Sequence, residues 1–248
     1  MYQNNLNALI DAAKKPNGVT PHERFASANQ RKNSFYAIQA IPSLAKNAMC
    51  FTHPLDELPV VCIDGALIKL PFKTCWFEFP QPNAELKAGF LCWESTGCFD
   101  FSVFVFFESK WIFGGTFNTY LDGDAVATKG FMGHPDESVR GLISSFYGFL
   151  VALNCCNIKR TEHKPEASKQ SVRRALGRQP LFSTWTLGID LQRTAREMPG
   201  QGGTHASPRL HLRRGHARQH KPGLWCWVQP HVVGDKSLGM VHKDYATH

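Results

Sequence analysis

The side chains best suited to acid-base or phosphate chemistry gather toward the C-terminal end. Eight of the eleven histidines (His163, His205, His211, His216, His220, His231, His242 and His248) follow position 156. In PRLHLRRGHARQHK the arginines Arg209, Arg213, Arg214 and Arg218 are interleaved with histidine and closed by Lys221, and upstream SVRRALGR adds Arg173, Arg174 and Arg178. A guanidinium fork matches phosphate oxygens. Two histidines can divide general base and general acid work on a 2′-hydroxyl and a leaving 5′-oxygen, while an arginine offsets charge on the phosphorane. A metal-independent ribonuclease would thus draw on His216, His220 and His231 with Arg214. No motif supplies a fixed acid-base partner, however, so the first reading is non-enzymatic: the arginines and Lys221 contact phosphate, and the histidines are hydrogen-bonded structural residues.

Other chemistry lacks its motifs. The chain has no G-x-x-x-x-G-K-[ST], no G-x-G-x-x-G, no H-E-x-x-H and no G-x-S-x-G, which removes the usual support for nucleotide, dinucleotide, zinc-protease and serine-hydrolase sites. Eight cysteines include no C-x-x-C pair, so neither structural zinc nor any other metal or cofactor is expected. Cys75, Cys92 and Cys226 each adjoin a Trp in an apolar segment and read as small buried hydrophobes, and Cys98 has no adjacent base to make it a nucleophile. Asp122 and Asp124 around Gly123 suggest a fragment of a calcium loop, but the closing Glu is missing, and a polar hairpin turn fits better.

What positions the basic residues is a second, compositionally distinct part. Residues 1–156 carry 12 Lys plus Arg against 14 Asp plus Glu, whereas residues 157–248 carry 16 against 6, so the whole net charge of +8 resides in the last third. Seventeen of 18 Phe precede the step. We therefore expect an α+β scaffold domain over 1–156 and a basic Arg/His-rich α+β module over 157–248, with the polar stretch NIKRTEHKPEASKQ as the linker.

In the first part, NLNALIDAAKK and PHERFASANQRK read as helices, the second opened by Thr20 and Pro21. LPVVCIDG, ALIKLPF, TCWFEF, KAGFLCWES, FDFSVFVFFE and KWIFGGTFNTYL read as strands of an antiparallel Phe-rich sheet. DESVRGLISSFYGFLVALNCC places Val139, Leu142, Ile143, Phe146, Phe149, Leu150 and Leu153 at helical spacing, which predicts a helix from about Asp136 to Leu153 packed on that sheet. In the tail, a basic helical turn precedes a strand over STWTLGID, REMPGQGGTHASP is a flexible excursion, and PRLHLRRGHARQH and LWCWVQPHVVGD form a β-hairpin turning at Pro222 and Gly223, unless Gly215 forms a bulge. Trp185, Trp225 and Trp227 could stack on unpaired bases, but core packing is the expectation for them.

The succession SVRRALGRQPLF, PRLHLRRGHARQH, WVQPHVVGD and LGMVHKDYATH, over about the last third of the chain, resembles a recurrent group of bacteriophage and prophage proteins. It departs from the group's usual pattern at Gln229, where a basic residue is usual, and at His231. The resemblance implies a phage origin and action in the cytoplasm of an infected bacterium, and it implies no particular reaction. With no apolar run near the roughly 20 residues of a membrane span and no secretory start, a soluble cytoplasmic protein is expected. The partner would be nucleic acid or a host nucleoprotein complex, in host takeover or counter-defence. An alternative is a protein-only inhibitor of a host defence or transcription complex, with the near-neutral first part supplying a homodimer contact or the main interface.

Overall fold

The computed structural model describes residues 5–22, 28–52, 65–80, 87–96, 98–122, 125–130, 137–189, 209–213, 215–229 and 231–240. The architecture is α+β. Nine strands form one sheet: β1 (Val19–Pro21), β2 (Met49–Thr52), β3 (Thr74–Pro80), β4 (Lys87–Glu94), β5 (Phe99–Phe107), β6 (Lys110–Asp122), β7 (Ala125–Gly130), β8 (Ile158–His163) and β9 (Thr184–Ile189). Their spatial order is β1-β6-β5-β4-β3-β2-β9-β8, and β7 also pairs with β6.

The centre of the sheet is antiparallel from β3 to β7, as its alternating Phe-rich sequence demands. It is not antiparallel throughout. β1 runs parallel to β6, and β2 runs parallel to both β3 and β9, pairings made by long crossovers that no local spacing announces.

Both faces of the sheet are covered, and period-two alternation assigns each side chain to one of them. Phe77 and Phe79 of β3, Phe90 and Cys92 of β4, and Phe99, Phe101 and Val103 of β5 pack with Ile143, Phe146, Phe149, Leu150 and Leu153 of α3 (Glu137–Leu153). Phe90 stacks on Phe146 with ring centroids 4.5 Å apart. The opposite side chains, Trp76, Leu91 and Phe104, meet Leu6, Leu9 and Ile10 of α1 (Asn5–Ala13) and Ile38 and Ile41 of α2 (Ala28–Leu44).

A bulge lets β6 serve both layers. Val103 pairs with Gly115 and Phe104 with Phe113, leaving Gly114 as the extra residue, and Gly115 takes φ 126°. The insertion reverses the alternation. Trp111 and Phe113 before it therefore face the α1/α2 layer, and Phe117 after it faces α3.

Three readings from sequence are corrected in these segments. The polar stretch taken as a linker is strand β8 followed by the start of α4 (Ala167–Ala175), and β8 and β9 extend the same sheet that the first 156 residues begin. β8 is an edge strand whose central residues are exposed, and charged side chains are how sheet edges are protected. Thr20 and Pro21 lie in β1 rather than opening a helix. The second helix instead spans Ala28–Leu44, with Pro42 inside its last turn. ALIKLPF is not a strand: Gly65–Leu67 is a turn of 3-10 helix. LPVVCID and the REMPGQGGTHASP excursion lie outside the described residues. The turn expected at Asp122 lies between β6 and β7, with Asp122 opposite Ala125, and Gly123 and Asp124 are outside the described residues.

Beyond the sheet, β11 (His216–Lys221) and β12 (Leu224–Val228) form an antiparallel hairpin around Pro222 and Gly223, the glycine at φ 74°. β10 (Arg209–Arg213) is not its continuation. It lies between β13 (His231–Val233) and β14 (Asp235–Met240) in a three-stranded sheet, and buried Gly215 marks the break. Among the described residues, no helix is long and apolar enough to cross a membrane.

Candidate functional site

The hairpin that carries Arg218 and Lys221 is fixed to the C-terminal end of α3. The Cys156 N–H donates to the Trp225 carbonyl at 2.8 Å. The side chain of Asn157, wholly buried, donates through Nδ2 to the Trp227 carbonyl at 2.8 Å and accepts from the Trp227 N–H at 2.7 Å, pairing with β12 as a neighbouring strand would. Trp227 packs on Ala152 and Cys155, with Trp225, Ala217 and Ile158 around them. Ala217 and Trp227 are directly opposite in the hairpin, as are Gln219 and Trp225. Trp227 is thus buried against the body of the protein, and Trp225 is half-buried beside it.

The same helix end borders a pocket of about 620 Å³ lined by Lys69, Leu70, Pro71, Asn154, Cys155, Cys156, Ile158 and Arg160. Asn154 Nδ2 donates to the carbonyls of Leu67 and Lys69, at 2.9 and 3.0 Å, which holds the segment after the 3-10 turn against α3. Arg160 donates to the Leu153 carbonyl at 3.2 Å, placing a cation at the negative end of the helix dipole. The pocket therefore holds two cationic side chains and two adjacent cysteines. Cys156 Sγ is 2.9 Å from Cys226 Sγ. Cys226 is completely buried, as its sequence context predicted. The Cys155 thiol instead donates to the Val151 carbonyl at 3.3 Å, and burial, then the nearby Cys226, push its pKa up to about 12.

Arg173 is a structural residue. Its Nε donates to the Gln179 carbonyl at 2.7 Å and its guanidinium lies 3.8 Å from the Asp11 carboxylate, while neighbouring Gln170 exchanges two hydrogen bonds with the Leu181 backbone. These contacts hold α4, which has no buried residue of its own, against the chain leading into β9. Arg174 and Arg178 are exposed, as are Arg218 and Lys221 on the hairpin. Among the described residues, no carboxylate pairs with any of these four.

Arg209 and Arg213 are in β10, apart from the hairpin, and Arg214 lies outside the described residues. Arg213 stands opposite His231 across the β10–β13 pair. His216 and His220 are half-buried on β11. His231 is exposed, with Nδ1 2.8 Å from the Gln229 carbonyl, which accepts when the ring proton is on Nδ1. Among the described residues, no three His, Cys, Asp or Glu side chains gather closely enough to hold a metal ion.

Sequence reasoning missed Lys69, Arg160 and Cys156 as site residues. Their only signal was the Cys155-Cys156 doublet directly after the most regular helix. Comparison of the chain with known protein families, with curated proteins and with solved structures finds no match.

Proposed function

We propose that this protein binds nucleic acid through cations presented by α4 and the β11–β12 hairpin, without divalent metal and without cleaving it. The observation that carries the reading is the set Arg174, Arg178, Arg218 and Lys221: all exposed, none paired with a described carboxylate, and all within the segment that holds the chain's positive excess. Side chains not already neutralised within the molecule are the ones whose binding to phosphate releases counterions. Arg173 is excluded from the interface because it holds α4 in place. The resemblance to phage proteins supports a bacterial cytoplasm as the setting and a host nucleoprotein complex as the larger target.

The test is the salt dependence of binding to duplex DNA and to RNA in EDTA. Each phosphate contacted on a duplex contributes about 0.9 to the logarithmic slope. Replacing Arg174, Arg178, Arg218 and Lys221 together by Ala should flatten the slope by roughly two to four units with the circular dichroism unchanged. An unaltered slope overturns the proposal.

A second reading, inhibition of a host protein, draws on α4. Val172 and Leu176, one helical turn apart, are each 59% exposed, and an apolar pair bordered by Arg174 and Arg178 suits an acidic protein surface with an apolar centre. Capture of a host complex that survives nuclease treatment would favour it over direct nucleic-acid binding.

A further inference from the structure

We propose that Cys156 and Cys226 are a reversible disulfide site, oxidised by a small carboxylate-bearing disulfide such as oxidised glutathione, which fastens the β11–β12 hairpin to the end of α3. The proposal stands apart from nucleic-acid binding and holds whether or not that reading does. Both residues are thiols in this structure, 70 positions apart in sequence and with sulfurs 2.9 Å apart. Their backbones are already held on both sides, by the Cys156 N–H on the Trp225 carbonyl and by Asn157 on Trp227. Little chain movement separates the dithiol from the bonded pair.

The two cysteines differ in access, and this assigns their order of reaction. Cys156 is half-exposed and lines the pocket that Lys69 and Arg160 share, where carboxylates of an incoming disulfide would be attracted. Cys226 is completely buried behind it. Cys156 loses its proton to solvent, and its thiolate attacks one sulfur of the oxidant, breaking that S–S bond and expelling one small thiolate. Cys226 then loses its proton and attacks Cys156 Sγ, expelling the second small thiolate. Two cysteine thiols are oxidised by two electrons and the oxidant becomes two thiols. Cys155 stays outside the exchange because its thiol is committed to the Val151 carbonyl, whereas the Cys156 and Cys226 sulfurs face each other. Reversibility fits a reducing cytoplasm, where intracellular disulfides are transient.

The experiment uses the full chain. It is incubated with oxidised glutathione, denatured, alkylated and digested, and the cross-linked peptides are fragmented to place each bond. The expected product joins Cys156 to Cys226, with Cys155, Cys75 and Cys92 recovered alkylated. Closing so long a loop should raise the melting temperature by on the order of 5–10 °C, reversed by dithiothreitol. Cys155→Ser should still form the bond. Cys156→Ser should not form it, and Cys226→Ser should stop at the glutathione adduct on Cys156. Since Cys226 is buried and its variant could misfold, the half-exposed Cys156→Ser carries the decision. A Cys155–Cys156 or Cys155–Cys226 bond as the main product, a stable adduct on the parent chain, or complete alkylation after oxidation would each overturn the proposal.

Discussion

The indole of Trp76 lies across the backbone of Gly89 on the next strand, so closely that a Cβ at position 89 would stand 2.2 Å from the ring's outer edge. Trp76 is fully buried and packs against Phe104 and Trp111, with centroids 6.2 and 6.3 Å away, so the ring has nowhere to retreat. Gly89→Ala should destabilise the protein by about 3 kcal/mol, toward the upper end of overpacking costs. Trp76→Phe removes the obstructing edge, so the double variant should lose less than the sum of the two single changes. Chemical denaturation of all four proteins checks this, and strict additivity would refute the contact.

Glu78 gives stability a pH dependence of unusual sign for a carboxylate. Its side chain is buried at the start of α1, where it accepts from the Asn5 backbone N–H at 3.3 Å, from Asn5 Nδ2 and from Trp76 Nε1 at 3.2 Å. Burial raises its pKa above the ordinary 4.5 despite these donors. The folded state thus holds the proton more tightly than the unfolded state. Its contribution is fully present below about pH 4.5 and is lost as pH rises through the raised pKa. Relative to Glu78→Gln, which does not titrate, the parent should gain unfolding free energy as pH falls from 7 toward 4.5. A flat or opposite difference would show that the hydrogen bonds outweigh burial.

The β5–β6 turn carries avoidable strain. Glu108 and Ser109 take φ 47° and 62°, the left-handed region that a two-residue hairpin turn requires and that Asn-Gly occupies at lower cost. Glu108→Asn with Ser109→Gly should stabilise the protein by about 1 kcal/mol, read as a higher denaturation midpoint with unchanged slope.

The legible parts of this fold are those in which burial writes a period into the sequence. Helix α3 was visible because seven apolar residues recur on one face, and β3, β5 and β6 because each repeats Phe or Trp at period two. Helix α2 was read only at its N-terminal end, since its buried face carries Ser34, Ile38 and Ile41 with exposed Phe35 and Tyr36 between them. An exposed aromatic contributes the same letter to a pattern as a buried one. β8 was hidden because an edge strand has little to bury. At the site, charge alone could not separate Arg173, which braces α4, from Arg174, which is exposed. No spacing rule could have joined Cys156 to Cys226, because their proximity comes from the docking of a hairpin on a helix end.

Asn157 is where that docking can be tested by itself. Its amide makes both hydrogen bonds to Trp227 from a fully buried position. Asn157→Ala leaves the Trp227 N–H and carbonyl buried without partners and should cost about 2–3 kcal/mol. Because β11 and β12 retain their own pairing, the loss should be local first. Hydrogen exchange should quicken at Trp225 to Val228 and Ala217 to Gln219 while Phe90 to Phe101 in the central sheet stay protected. If the hairpin presents Arg218 and Lys221 to a polyanion, the variant should also bind more weakly at a given salt concentration, since the free hairpin must be ordered on binding, yet keep the parent's salt slope because no charge has been removed. Uniformly faster exchange across both regions would instead make Asn157 part of the global core, and the hairpin would not be a separately docked element.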